Sequence, residues 1–319
     1  MLAYGFSRTV KWTIDDEGIL LFEPVRGEKG HFGIKKSING KRAYEWQKYC
    51  QKIRHVKTKG KLCLTSYAQG MFEFCEELID ADLTGFDTSD VYNMARMFFN
   101  CKHLKSVDLS SFDTARANTF AEMFSGCTHL ETLDLSSFKT SNVTNMHGMF
   151  NNCRTLAKLD IHNFDTSKVL NMGSMFWNCN SLTELNVSHF NTQNVINMMD
   201  MFSRCESLEH LDVSSFNTSN VVDMSGMFSD CRSLKEIDIS NFDVGNVTTT
   251  DYMFGLDRDL VTVHLFQINP EQKIEMREMF YLCTSLINLN LTMFIDYPCS
   301  EMKRIFFGCT SLDFSAFDD

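Results

Sequence analysis

The sequence predicts an α/β repeat solenoid, and three regularities along its 319 residues support that prediction. A Met-Phe pair recurs every 26 residues from Met71 to Met279. Six residues beyond each Phe stands a leucine, and three residues beyond it stands a cysteine, which Asp257 replaces in one copy. A constant interval of this length indicates structural units that stack along one axis and share a continuous core.

Each unit contains two apolar periodicities, which the copy at residues 143–164 illustrates. Residues 143–153 place apolar side chains at helical spacing, and Ser141 and Asn142 just before them are suitable N-cap residues. Residues 156–161 then follow the pattern Leu-x-x-Leu-x-Ile, which is typical of a strand with one buried face. The unit is therefore predicted to be a strand, a turn and a short helix.

Stacked units are expected to join their strands into one parallel sheet, because a single unit cannot bury its own apolar face. Helices are wider than strands, so the stack should curve, with the parallel β-sheet on the concave face and the short helices on the convex face. About ten repeats of this solenoid are predicted to occupy residues 50–319.

The two ends of the chain differ. Residues 1–49 are predicted to form an N-terminal cap with a β-hairpin and a helical part, since Trp12–Leu20 is typical of a hairpin through a Gly-containing turn. No C-terminal cap is recognisable beyond Phe306. The last unit is therefore expected to fray, to continue in a longer protein, or to pair end to end with another copy.

The repeat resembles a known family. The strand pattern Leu-x-x-Leu-x-Leu is the leucine-rich-repeat signature, and the form Asn-Val-Thr-Asn-Met-x-x-Met-Phe-x-x-Cys-x-x-Leu-x-x-Leu-Asp-Leu-Ser-x-Phe-Asp-Thr resembles the BspA-like repeat of bacterial surface proteins. The match is fullest from Val91 to Val247. This resemblance implies an extracellular or cell-surface protein that adheres to host or extracellular-matrix molecules. No signal peptide is visible in residues 1–20, so a cytoplasmic location stays open.

Catalytic signatures are absent from the sequence, which contains no P-loop, no His-Glu-x-x-His and no Gly-x-Ser-x-Gly. A solenoid also presents like residues in rows, whereas catalysis needs unlike residues around one pocket. The predicted function is therefore a non-catalytic surface module that binds a protein or a glycan. An intracellular protein-interaction scaffold is the main alternative, and an enzyme is the other.

The net charge of −11 is unevenly distributed. Residues 35–61 contain ten lysines and arginines against one acidic residue. This segment is expected to be a solvated part of the cap or to contact anionic polymers, glycans or lipid headgroups. Nucleic acid is not an expected partner, because the repeats are acidic. No segment approaches the roughly 18 apolar residues of a membrane span, and the oligomeric state stays open.

The candidate binding site is a row of polar side chains between the buried positions of the strands. We call it the Asp row, and it consists of Asp82, Asp108, Asp134, Asp160, Asn186, Asp212, Asp238, His264 and Asn290. The predicted binding residues are Asp108, Asp134, Asp160, Asn186, Asp212 and Asp238, with the flanking residues Ser136, His162, Ser188 and Ser214.

Neighbouring carboxylates of the Asp row are expected about 4.8 Å apart, where they repel by about 0.9 to 3.5 kcal/mol. Three arrangements relieve this repulsion. The carboxylates hydrogen-bond to neighbouring hydroxyls, some of them stay protonated with a raised pKa, or a cation or cationic partner neutralises them. No cofactor is expected, apart from Ca²⁺ on the Asp row under the third arrangement.

Cysteines and histidines are the remaining candidates for metal or redox chemistry. Nine cysteines share one repeat position and are predicted to be core thiols, because each ends an apolar stripe and no Cys-x-x-Cys pair occurs. Cys50, Cys63 and Cys299 lie outside this position and are expected to be more exposed. His103 and His129 share another repeat position and are expected to be neighbours, although two histidines alone make a weak metal site.

Overall fold

The computed structural model of the protein describes residues 1–27, 29–33, 36–38, 41–269, 271–295, 297, 300 and 302–315. The chain forms two compact units, residues 1–156 and residues 157–319. These two parts of the chain are called the first and the second unit below, and a coil is one 26-residue repeat. The N-terminal cap and the first coils lie together in the first unit. The predicted boundary after residue 49, and the predicted curvature with its concave and convex faces, stay predictions.

Within the described residues the regular structure is mostly strand. The strands are β1 Ala3–Ser7, β2 Val10–Ile14, β3 Ile19–Pro24, β4 Lys29–His31, β5 Lys36–Ile38, β6 Lys41–Ala43, β7 His55–Thr58, β8 Lys61–Cys63, β9 Asp80–Asp82, β10 Phe86–Asp87, β11 Ser106–Asp108, β12 Glu236–Asp238 and β13 Thr262–His264. They form four sheets, in the orders β1-β2-β3-β7-β9-β11, β10-β8-β4, β12-β13 and β5-β6. Two 3₁₀ helices, Glu45–Lys52 and Thr292–Phe294, complete the regular structure of these residues.

The cap begins the parallel ladder of the first unit. Strands β2 and β3 pair antiparallel with Ile14 opposite Leu20, and their turn includes Gly18 at a φ of +84°. The predicted hairpin is therefore present. Strand β3 then pairs in parallel with β7, and β7 pairs in parallel with β9. Strand β3, the second strand of the hairpin, is thus the strand of the cap to which the parallel strands of the repeats are added.

The predicted short helices are wrong. In the coil around Phe98, Arg96 and Phe98 donate their N–H groups to carbonyls of the next coil, at 2.9 Å each. Phe99, which directly follows Phe98, donates within its own coil, to the carbonyl of Arg96 three residues back. An α-helix instead bonds each N–H to the carbonyl four residues back. The segment is therefore a chain of tight turns whose backbone bonds sideways to its neighbour.

Left-handed residues explain why a helix does not form there. Each coil has two residues with positive φ, four positions apart, such as Ser174 and Asn178 at +55° and +61°. Gly, Asn and Asp tolerate this conformation best, and they occupy many of these positions. Two left-handed residues interrupt any helix, while the apolar side chains between them still point inward. The apolar residues are therefore spaced along the sequence as in a helix, although the backbone forms a series of turns.

The core consists of like side chains lying over one another. In the first unit Phe72, Phe98, Phe124 and Phe150 stack in sequence, with ring centroids 5.5 to 6.1 Å apart. In the second unit the same stack runs from Phe176 to Phe306. The paired methionines Met146 and Met149 are fully buried, as predicted for core residues. Because the repeat length is constant, equivalent side chains lie over one another, and the apolar packing is continuous within each unit.

A row of threonines is buried beside this core. We call it the Thr row, and its members are Thr88, Thr114, Thr140, Thr166, Thr192 and Thr218, each at most 2% exposed. The Thr192 hydroxyl donates to the carbonyl of Asn217 in the next coil at 2.8 Å, and it accepts the N–H of the same residue at 2.8 Å. The hydroxyls of Thr88, Thr114 and Thr166 also join two coils through a donor and an acceptor.

The cysteine position is buried as predicted, and its thiols also make hydrogen bonds. Cys205 donates to the carbonyl of Phe176 in the preceding coil at 3.3 Å. The same bond is made by Cys101, Cys127, Cys153, Cys231, Cys283 and Cys309. Burial raises the pKa of the Cys205 thiol well above its ordinary value. These groups are therefore neutral S–H donors in the core.

Cys75 departs from this prediction because it forms a disulfide with Cys50, with Cα atoms 4.2 Å apart. Cys50 lies near the end of the first 3₁₀ helix and occupies the preceding position of the same stack, which brings the two sulfurs together. Cys50 is buried, so its expected exposure is wrong, whereas Cys63 is partly exposed. Cys299 lies outside the described residues.

Candidate binding face

The structure places all ten predicted binding residues on the surface. Their side chains are exposed, and the residues that alternate with them, such as Leu135, Ile161 and Val213, are buried, although these three lie outside strands β1 to β13. The two flanks of each Asp row residue are exposed as well, for example Lys158 and His162 beside Asp160. Alternation of polar and apolar positions therefore produces an exposed polar strip on each unit.

Every Asp and Asn of the Asp row closes a turn within its own coil, whereas His264 instead contacts Glu236 of the preceding coil. Asp212 Oδ1 accepts the N–H of Ser214 at 2.9 Å, and Asn186 Oδ1 accepts the N–H of Ser188 at 3.0 Å. The same bond is made by Asp82, Asp108, Asp134, Asp160, Asp238 and Asn290. Short Asp and Asn side chains favour such turns, because their oxygen reaches the N–H two residues on.

The flanking side chains add donors to these carboxylates. The hydroxyl of Ser110 donates to Asp108 Oδ1 at 2.6 Å, and the imidazole Nδ1 of His162 lies 2.7 Å from Asp160 Oδ1. Hydrogen bonding to a neighbouring hydroxyl was one of the three expected arrangements. The neighbour is the serine of the same coil.

The pKa values of four Asp row carboxyls, those of Asp108, Asp160, Asp212 and Asp238, are lowered. The Ser110 hydroxyl and N–H lower the pKa of Asp108, and the charge of nearby Asp134 only partly opposes them. Ser214 and Ser240 lower the pKa of Asp212 and Asp238 in the same way. For Asp160 the donor is His162. The expected arrangement with protonated carboxyls and raised pKa is therefore wrong for these four residues, which are ionised at neutral pH.

Charge is arranged differently along the strips of the two units. In the first unit Asp82 and Asp108 are direct neighbours across the parallel pair β9 and β11. In the second unit Asp238 lies opposite His264. The second unit also has Lys158 Nζ 2.7 Å from Glu184 Oε1. The first strip thus places two carboxylates side by side at Asp82 and Asp108, where the second has His264 beside Asp238, and both strips include a basic side chain beside a flanking carboxylate, with His55 Nδ1 2.8 Å from Asp80 Oδ2 in the first.

No three His, Cys, Asp or Glu side chains within the described ranges are arranged to hold one metal ion. Ca²⁺ on the Asp row therefore stays a prediction. None of the helices in this part of the chain is long and apolar enough to cross a membrane.

Sequence reasoning missed two structural features that position this face. Thr166 stands in the polar run Asp165-Thr166-Ser167, which is typical of an exposed turn, yet it is buried and bonded between coils. The left-handed positions were also missed, although Gly, Asn and Asp recur at them, as at Gly148 and Asn152. Recurrence of these three residue types at a spacing of four is the signal that indicates turns rather than a helix.

Comparison with known proteins identifies the repeat. The family model described as "Mycoplasma protein of unknown function, DUF285" matches three overlapping stretches, residues 66–182, 152–263 and 236–317. The chain belongs to the DUF285 repeat family. The repeat family that the motif predicted is thereby confirmed, and DUF285 repeats account for everything from the first Met-Phe pair to the last coil. No curated protein is similar enough in sequence to count as a match.

Solved bacterial structures align with this DUF285 chain along nearly its whole length. A leucine-rich cell surface protein from Faecalibacterium prausnitzii A2-165 is 11% identical and covers 98% of this chain and 94% of its own, with a TM-score of 0.29. A leucine-rich repeat protein from Eubacterium ventriosum ATCC 27560 is 16% identical, with coverages of 98% and 93% and a TM-score of 0.30. The T. pallidum leucine-rich repeat protein is 15% identical, with coverages of 98% and 92% and a TM-score of 0.26.

Proposed function

We propose that this DUF285 chain is a non-catalytic binding module whose Asp row takes a cationic segment of a partner protein. The observation that carries the proposal is the state of the carboxylates. They are exposed, they occupy six of the nine positions of the row, and four of them have pKa values lowered by serine or histidine donors, as at Asp108 and Asp160. Lysine and arginine side chains are complementary to such a row.

The fold leaves part of the Asp212 and Asp238 carboxylates to a ligand. The turn engages Oδ1 of Asp212 and Asp238, so the fold does not require Oδ2 of either residue. Asn186 makes the same turn without a charge. The negative charge at the other positions is therefore not needed for folding, which supports a role in binding.

Surface display and adhesion to host or matrix molecules form the proposed setting, as the BspA-like repeat motif implies. An intracellular scaffold would use the same Asp row with a different partner. Immunolabelling of intact and permeabilised cells of the source organism separates the two settings. Labelling of intact cells is expected, and labelling only after permeabilisation would contradict the surface role.

The binding test compares two triple variants that remove the same charge. The first carries Asp134→Asn, Asp160→Asn and Asp212→Asn in the Asp row, where Asn186 demonstrates that asparagine keeps the turn. The matched control carries three asparagines in another row of the same kind of turn, at Asp113, Asp165 and Asp243, whose Oδ1 atoms also accept the N–H two residues on.

Binding of an oligolysine peptide is measured by titration calorimetry at low and high salt. The Asp row variant is expected to bind about tenfold more weakly, since three exposed ion pairs contribute about 0.5 kcal/mol each. The control variant is expected to bind nearly as the natural chain does. Equal weakening in both variants would mean that only net charge matters, and the proposed site would be wrong. Repeating the titration with Ca²⁺ tests the predicted ion, which should compete with the peptide if it binds the row.

A further inference from the structure

Two histidines on adjacent coils of the first unit lie side by side on the surface. The ring centroids of His103 and His129 are 5.1 Å apart, and their planes meet at 41°. Both side chains are exposed, and His103 is about half accessible. Other coils carry no histidine at this repeat position, where Glu77 precedes the pair and Thr155 follows it. The pair is therefore a local feature and not a property of the repeat.

The backbone fixes which nitrogen of each ring carries the proton. His103 Nδ1 lies 3.0 Å from the carbonyl oxygen of Glu76, and His129 Nδ1 lies 2.9 Å from that of Lys102. A carbonyl oxygen only accepts hydrogen bonds, so each Nδ1 donates its proton. Each neutral ring then has an unprotonated Nε2 with an available lone pair. Both imidazoles are thus held in the tautomer that binds metals through Nε2.

These contacts match the surroundings of histidine metal ligands. Such histidines nearly always donate their other N–H to a backbone carbonyl or a carboxylate, which fixes the ring and raises its basicity. Both rings make the carbonyl contact, and Glu77 Oε1 lies 3.9 Å from His103 Nδ1. Lys102 is the nearest cation, and its ammonium group is bound to Glu76 at 3.0 Å.

The ring separation also fits one shared ion. Zinc lies about 2.0–2.1 Å from an imidazole nitrogen, and a tetrahedral angle between two such bonds places the ring centroids roughly 5 Å apart. The observed separation is 5.1 Å. We propose that His103 and His129 form a surface site for a borderline divalent transition metal such as Zn²⁺, bound through the two Nε2 atoms. Solvent fills the other two coordination positions in the isolated chain.

The donor set decides the class of ion. Imidazole nitrogens suit Zn²⁺, Ni²⁺ and Cu²⁺, whereas Ca²⁺ and Mg²⁺ require oxygen ligands. This site is thus chemically separate from the carboxylates of the Asp row. It also makes no use of the buried thiols, whose S–H groups are bonded in the core, as at Cys101.

The test is calorimetric titration of the full chain with zinc chloride after removal of trace metal by chelation. Three single variants are compared: His103→Gln, His129→Gln and the control His210→Gln, an exposed histidine of the second unit. Loss of either member of the pair is expected to weaken zinc binding about tenfold or more. The remaining histidine then binds the ion alone, without the gain in affinity that two ligands held in one molecule provide. His210→Gln is expected to bind zinc as the natural chain does.

A second readout identifies the ligands directly. Cu²⁺ bound to the natural chain is expected to show nitrogen hyperfine coupling from two imidazoles in its electron paramagnetic resonance spectrum, and from fewer in either variant of the pair. Thermal unfolding without metal should give the same midpoint for all chains, since both side chains are exposed. Zinc affinity unchanged by His103→Gln and His129→Gln, or no zinc binding by the natural chain, would overturn the proposal.

Discussion

The Thr row and the Asp row are both polar and both recur once per coil, yet they use their hydrogen bonds differently. Thr192 is buried and bonds forward to Asn217 in the next coil through both its donor and its acceptor. Asp212 is exposed and bonds only two residues on, to Ser214 within its own coil. The buried row joins coils, whereas the exposed row shapes a single turn.

This difference teaches which polar positions the fold constrains. A buried hydroxyl must satisfy its hydrogen bonds inside the protein, so threonine occupies this position from Thr88 to Thr218, and the next coil has the buried apolar Val244, which needs no such bond. Water can replace a partner at the surface, so the exposed row accepts Asn186 within the same coils and His264 and Asn290 beyond them. The buried position thus takes a side chain that bonds to the next coil or an apolar one, whereas the exposed position varies among polar residues.

Removing one Thr row hydroxyl is expected to have the largest effect. Thr192→Val should lower the free energy of unfolding by about 2 kcal/mol, because the N–H and carbonyl of Asn217 lose their common partner. Urea denaturation measures the change. The control is Thr248→Val, whose exposed hydroxyl also bonds to another coil. Equal losses in the two variants would contradict the assigned importance of burial.

Asp257 offers the opposite test, because it is a carboxyl at the buried cysteine position. Its Oδ1 accepts the N–H of Cys231 at 2.6 Å, while Oδ2 has no hydrogen-bond partner. Asp257→Cys should raise the free energy of unfolding by about 1 kcal/mol at neutral pH, because it removes an unsatisfied buried atom. The new thiol is expected to donate to the preceding coil, as Cys231 does to Phe202. A less stable variant would contradict this account.

The pH dependence of this effect has a definite sign. Burial raises the pKa of Asp257 well above its ordinary value. The folded chain therefore keeps a proton that the unfolded chain loses near pH 4, and stability falls as the pH rises above that value. Urea denaturation from pH 4 to pH 7 should show a shallower decline for Asp257→Cys than for the natural chain. Parallel curves would mean that Asp257 does not titrate as described.

The smallest effect is expected in the Asp row. Asp212→Ala should lower the free energy of unfolding by about 0.5 kcal/mol at neutral pH, because only one exposed turn loses its acceptor. The pKa of Asp212 is lowered, so its contribution is present above about pH 4 and is lost as the pH falls through the folded value. Asp212→Asn should keep most of the stability. A loss as large as that of Thr192→Val would remove the contrast between the rows.

Much of the candidate site could be predicted from the sequence, since the alternation at Leu159 and Ile161 already places Asp160 and His162 outward. The protonation state of the Asp row could not be predicted, because it depends on donors such as the Ser110 hydroxyl. The distance of that hydroxyl from Asp108 follows from the geometry of the turn. The disulfide between Cys50 and Cys75 was also missed, since Cys50 stands 25 residues before Cys75, outside the 26-residue interval, and its place in the stack follows from the path of the first 3₁₀ helix.

The sequence by itself determined the repeat length, and with it which side chains form rows and which rows are buried. Burial follows from hydrophobicity at fixed intervals, which a linear pattern contains in full. Only the tertiary structure decided that residues such as Ser174 and Asn178 adopt left-handed turns and that the backbone between them bonds sideways. Those bonds need the neighbouring coil as a partner, and a local pattern carries no information on which partner a backbone group will choose.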